Sequence, residues 1–185
     1  MLFGNPADFA IEADVAPDLV PPSPVFGHLR VWCRQTPLGN VDEAPCSLQP
    51  AFVGFQWLLS SLDSLWADEF LGLDDMAAWK FLDAVLYGFD GATPIEDRRT
   101  PQQIQSDWLA WRRFNFLTNW GEPFRDWKAF LLCPPLDDAR VLYSRLPEND
   151  GHALRVTRKG IQGAAEAFVR WFGEQEARLG ARHVT

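Results

Sequence analysis

The chain is poor in the residues from which most catalytic and metal sites are built. Of 185 residues only three are histidine and three are cysteine. The cysteines (Cys33, Cys46 and Cys133) lie far apart, and no CxxC spacing occurs. That argues against a zinc ribbon or a redox pair, and separated thiols in odd number are what a reducing compartment leaves free. No run of ~18 apolar residues exists, so no membrane span is expected; Asp63, Asp68 and Asp83 break the longest apolar stretches. Met1-Leu2-Phe3-Gly4-Asn5-Pro6 has neither a basic start nor an apolar run, so no export signal is read and the cytoplasm is the expected compartment. Bases are scarce as well: 17 Lys and Arg stand against 25 Asp and Glu, for a net charge of −8. A direct nucleic-acid ligand is disfavoured, because phosphate binding calls for clustered cations. No Walker loop, GxSxG elbow, HExxH pair or EF-hand loop is present.

What is abundant is aromatic and acidic. There are nine Trp and fourteen Phe, against two Tyr and two Met. Large rings fill cores and also anchor interfaces, so the excess alone does not decide between the two. The charge is unevenly spread. Residues 1–75 hold eleven acids and only two bases, Arg30 and Arg34, whereas residues 76–185 are nearly balanced, with fourteen acids and fifteen bases. An acidic half suits steering toward a basic partner; the plainer reading is a solvated surface that keeps the chain in solution.

Periodicity sets the expected fold. Phe9–Val15 and Val25–Gln35 alternate with period two and are expected to pair as antiparallel strands, with Val25, Leu29, Val31 and Cys33 on one face. Pro50 opens a helical stripe of Phe52, Phe55, Leu59, Leu62, Trp66 and Phe70 that runs to Gly72. Asp74 then caps a helix that ends at Gly88. Residues 89–99 read as a loop. Thr100-Pro101-Gln102-Gln103 has the form of a capping box, opening a helix to about Trp111 that buries Ile104, Trp108 and Trp111. A strand is expected over 114–119, helix and strand are both open for 124–132, and 139–146 with 152–157 reads as a hairpin. The closing helix carries Ile161, Ala164, Ala165, Phe168, Val169 and Phe172 on its buried face. Strands segregate from helices, so the expected class is α+β, a mainly antiparallel sheet with three central helices and a C-terminal amphipathic helix, in one domain over 1–185.

Candidate chemistry is thin. His28 and Cys33 sit an odd number of residues apart on one strand, which puts them on opposite faces. Cys133 has no base beside it in sequence. The carboxylate pairs Asp74-Asp75 and Asp137-Asp138 stand where Asp ordinarily caps a helix or opens a turn. Arg158-Lys159-Gly160-Ile161-Gln162-Gly163 lies at a helix start but lacks the spacing of a phosphate loop, and close packing explains its glycines better. No catalytic residue, metal or cofactor is expected.

Two blocks carry a family resemblance. Phe3-Gly4-Asn5-Pro6 followed by Phe9-Ala10-Ile11, and Phe116-Leu117-Thr118-Asn119-Trp120-Gly121-Glu122-Pro123-Phe124 with Lys128 and Phe130, resemble an immunity-protein family of bacterial polymorphic-toxin systems, family forty-two. The resemblance implies a small cytoplasmic protein that binds the C-terminal toxin domain made beside it and blocks that domain without catalysis. A basic toxin, such as a nuclease, would suit the acidic half. The expected partner-binding residues are Asp42, Glu43, Asp63, Asp68, Glu69, Asp74 and Asp75, with Trp120 and Trp127 as a second choice. Two other readings stay open here. One is an enzyme of unrecognised type using Asp74, Asp75 or Cys133; the other is an adaptor for a basic domain unrelated to toxins.

Overall fold

A computed structural model describes residues 1–40, 44–90, 93–148 and 150–180. Strands β1 (Leu2–Gly4), β2 (Phe9–Val15), β3 (Phe26–Cys33), β4 (Thr36–Leu38) and β5 (Cys46–Ser47) form an antiparallel sheet in the order β1-β2-β3-β4, with β5 also on β3. The β2–β3 register sets Phe9 opposite Cys33 and Val15 opposite Gly27. Gly27, Leu29, Val31 and Cys33 are buried and alternate with half-buried residues, the expected period-two pattern. It follows from the pleat, which sends successive side chains to opposite faces.

Helix α1 (Gln49–Ser61) is shorter than its apolar stripe suggests. Short 3-10 turns at Leu62–Ser64 and Asp68–Phe70 replace the continuation to Gly72. Three serines account for the stop. The Ser60 and Ser61 hydroxyls both donate to the Trp57 carbonyl at 2.7 Å, and Ser64 donates to the Ser61 carbonyl at 2.8 Å, competing with the helical ladder.

Helix α2 (Asp75–Tyr87) matches expectation at both ends. The Asp74 carboxylate accepts from the Ala77 N–H at 2.7 Å, and Gly88 closes the helix in the left-handed region at φ 73°. The stretch expected as plain loop contains a small hairpin, β6 (Phe89–Asp90) with β7 (Thr93–Pro94). Helix α3 (Pro101–Trp111) begins with a complete Thr100–Gln103 capping box. It buries none of its residues: Ile104 is 42% and Trp108 36% exposed, and only Trp111 turns inward.

The strand expected over 114–119 does not form. Phe114 closes a 3-10 turn, and only Asn115 makes a single bridge, to Phe130. Leu117 and Asn119 take positive φ (61° and 65°), which breaks an extended run. The Thr118 side chain takes over the pairing, its hydroxyl accepting from the Ala129 N–H at 2.9 Å. The strand lies further on: β8 (Trp127–Leu132) settles the open 124–132 segment, and β9 (Ala139–Arg145) and β10 (His152–Val156) complete a second antiparallel sheet in the order β10-β9-β8.

Helix α4 (Arg158–Gly180) packs across β1, β2 and α1. Its buried stripe is Ile161, Ala164, Ala165, Phe168, Trp171, Phe172 and Leu179, with Val169 half-buried. Phe168 meets Phe3 and Phe55 edge-on, at 6.1 and 5.2 Å, and Phe172 stacks on Phe52 at 4.3 Å. A second ring cluster, Phe70, Phe81, Trp111 and Phe114, ties the 3-10 turns to α2 and α3. The aromatic excess therefore goes largely into the core, where each buried Phe contributes about 1.5–3 kcal/mol. The class is α+β, with antiparallel sheets and a long closing helix.

Candidate partner-binding surface

The acidic residues singled out in the sequence fall into three environments. Asp42 and Glu43 lie outside the described residues. Asp63, Asp74 and Asp75 are engaged within the fold. Asp63 pairs with the Arg158 guanidinium at 2.8 Å, and Asp74 caps α2. Asp75 receives both of its oxygens' contacts from Arg155, at 2.8 and 2.9 Å, with Arg140 a further 3.5 Å away. Counting only Arg30 and Arg34 as nearby bases misses these partners, because they come from residues 140–158. Asp68 and Glu69 differ. Both are exposed on a 3-10 turn, and neither has an ion pair or side-chain hydrogen bond among the described residues.

Asp68 shares a cleft of about 410 Å³ with a carboxylate far from it in sequence, Asp137; Trp66, Leu71, Pro135, Leu136 and Arg140 also line it. The two loops that form it are pinned together. The Cys133 N–H donates to the Leu65 carbonyl at 2.6 Å, and Arg140 donates to the Leu73 carbonyl at 3.1 Å. In the sequence Asp137-Asp138 reads as a helix cap or a turn opener; nothing local signals that it shares a cleft with Asp68.

Trp120 and Trp127 have different roles. Trp120 packs edge-on against Phe55 at 5.0 Å and Phe116 at 5.5 Å, over Gly54. A Cβ at position 54 would sit 2.4 Å from the indole, so that glycine is what lets the ring lie flat on α1. Trp127 stands at the rim of a cavity of about 480 Å³, walled by Tyr87, Phe89, Phe124 and Leu146. Lys128, which also lines it, makes a buried ion pair, Nζ to Asp83 Oδ1 at 2.6 Å, with the ammonium over the Tyr87 ring at 5.0 Å. Burial pushes the Tyr87 phenol up to about 12, so it keeps its proton, and it donates to Asn115 at 2.9 Å.

The groups that a nucleophilic or metal mechanism would use are otherwise engaged. Cys33, Cys46 and Cys133 are all buried, and none of them is in a disulfide. Burial, seconded by Asp8, raises the Cys33 thiol far above its ordinary range, and burial pushes Cys133 up to about 11. His28 hydrogen-bonds Asp14 at 2.8 Å. Among the described residues no three His, Cys, Asp or Glu converge as a metal site. The N-terminus of α4, the one glycine-rich helix start, is filled from within. Asp8 accepts from the Thr157 N–H at 2.8 Å and bonds the Thr157 hydroxyl, which in turn accepts from the Gly160 N–H at 3.0 Å. A Cβ on Gly160 would meet Asp8 at 2.4 Å, so close packing accounts for that glycine.

No described helix is long and apolar enough to cross a membrane. No curated protein matches the chain. The crystal structure of CdiI from Burkholderia dolosa shares the fold with a TM-score of 0.57, over 92% of this chain and 99% of that one, at 14% identity. At that identity the likeness is one of architecture, and function has to be argued from elsewhere. The sequence itself matches the family model described as immunity protein 42 over residues 1–170. Those residues take in both quoted sequence blocks, both sheets and most of α4, and the chain belongs to the immunity protein 42 family.

Proposed function

We propose that this protein binds a cognate toxin domain one-to-one in the cytoplasm and holds it inactive, protecting the cell that makes both. The family match across residues 1–170 carries this reading. Asp68 and Glu69, exposed and without an ion pair among the described residues, support a basic toxin domain as the partner. Acids in that position raise the association rate with a basic surface and favour its docking over acidic ones. A nuclease is a natural partner of this kind, since its own active site must be basic to hold phosphate.

Co-expression with the toxin domain encoded beside it, followed by titration of purified toxin activity, tests the mechanism. Inhibition should end at one equivalent of this protein per toxin. Complete protection at a small fraction of an equivalent would mean that the toxin is inactivated by turnover, and the enzyme reading would replace this one. Replacing Asp68 and Glu69 together by Lys should slow association, most strongly at low ionic strength. Surface changes of this type move stability by about 0.5 kcal/mol or less.

A further inference from the structure

We propose that Leu71 and Leu136 are the apolar anchors of the toxin-binding surface, two side chains on one acidic cleft that insert into an apolar patch framed by Lys and Arg on the toxin domain. The inference rests on the toxin-binding reading above. Its starting point is an anomaly of burial. Leu71 is 67% exposed and Leu136 is 97% exposed, in a chain whose other large apolar groups mostly go inside. Single exposed leucines are ordinary, but these two, from loops far apart in sequence, line the same cleft. Leu71 follows the 3-10 turn Asp68–Phe70, its N–H held by the Asp68 carbonyl at 2.9 Å, and Leu136 sits in the bend between β8 and β9. The Cys133–Leu65 and Arg140–Leu73 hydrogen bonds fix these loops against each other, so the anchors are set before a partner arrives and less ordering is lost on binding.

Charge selects the occupant. Asp68 and Asp137 stand in the cleft wall, and Glu69 and Asp138 are exposed next to them. The base lining the cleft, Arg140, is already held by Asp75 and the Leu73 carbonyl. A second copy of this chain would bring acids against acids. A basic surface brings complementary charge around the leucines, the arrangement of apolar anchors inside a polar rim that concentrates binding energy. The uncovered face of α3 has no such discriminating charge, since its one ionised side chain, Asp107, is paired internally with Arg99.

The test begins with wild-type protein and the toxin domain encoded beside it, measured by surface-captured binding kinetics at two salt concentrations. Failure of the wild type to bind would overturn the toxin-binding reading, and the anchors with it. Given binding, Leu71→Ala and Leu136→Ala should each weaken affinity roughly tenfold, and together roughly a hundredfold. The loss should appear in the dissociation rate, with melting temperature and salt dependence unchanged. Asp68→Asn with Asp137→Asn should do the reverse, slowing association and flattening its salt dependence. A double leucine variant that binds the toxin as tightly as wild type overturns the proposal while leaving the toxin-binding reading intact. So does a leucine variant that only abolishes self-association in sedimentation, which would assign the cleft to a second copy of the chain.

Discussion

Helices α3 and α4 are both amphipathic and both begin on a threonine cap, yet they are stabilised in opposite ways. The apolar stripe of α4 is covered by β1, β2 and α1, and Phe168 alone touches the rings of Phe3, Phe55, Trp171 and Phe172. Helix α3 packs on α2 along one edge and leaves Ile104, Trp108 and Leu109 to solvent. Its stability is local. The capping box satisfies its first N–H groups, and Arg99, just before it, binds Asp97 at 2.7 Å, Asp107 at 2.8 Å and the Val85 carbonyl at 3.0 Å. Apolar spacing specifies a helix with two unlike faces; whether anything covers the greasy one depends on the rest of the fold.

The largest test of this contrast is Phe168→Ala. Removing that ring should cost about 3–5 kcal/mol, seen as a lower denaturant midpoint in equilibrium unfolding. A loss under about 1 kcal/mol would mean that α4 is held by something other than its stripe. Thr100→Ala, which removes the cap of α3, should cost about 1 kcal/mol, and hydrogen exchange should rise across 101–111 while α4 stays protected. Leu109→Ala should change stability by about 0.5 kcal/mol or less, since Leu109 is 58% exposed. A larger loss would show that the outer face of α3 is covered in solution.

The smallest effect is electrostatic. Hydrogen bonds from the Arg99 side chain, then its backbone N–H, hold the Asp97 carboxyl down at about 2, against 3.8 for a free side chain. Because its folded value lies below its unfolded one, the clip it makes at the start of α3 is fully present above pH 3.8 and lost as pH falls through about 2. A carboxyl-carbon titration should find Asp97 ionising well below the usual aspartate range, and Arg99→Ala should return it there.

The features legible in sequence were those fixed by neighbours along the chain. The period-two faces of β2 and β3, the Asp74 cap with its Gly88 stop, the Thr100 capping box and the stripe of α4 all follow from local spacing. The misreadings have local causes of a subtler kind. Phe114–Asn119 has strand composition, but left-handed Leu117 and Asn119 fold it back, and the Thr118 hydroxyl takes the place of a backbone partner. The helix after Pro50 ends early because serine hydroxyls satisfy its carbonyls. The surface was the least legible part. Asp63 with Arg158, Asp75 with Arg155, and the cleft shared by Asp68 and Asp137 are made by tertiary structure, with no trace in spacing.

The contact between Phe3 and Phe168 also sets an order of events in time. Strands β1 and β2 leave the ribosome well before the helix that covers them. At ~5–20 residues per second, that leaves the apolar face of the first sheet open for roughly eight to thirty-three seconds in every nascent chain. Such late closure, through contacts spanning nearly the whole sequence, favours slow and all-or-none acquisition of the native state. A chain interrupted before Arg158 lacks the helix that covers β1 and β2, so it should expose the apolar face of that sheet.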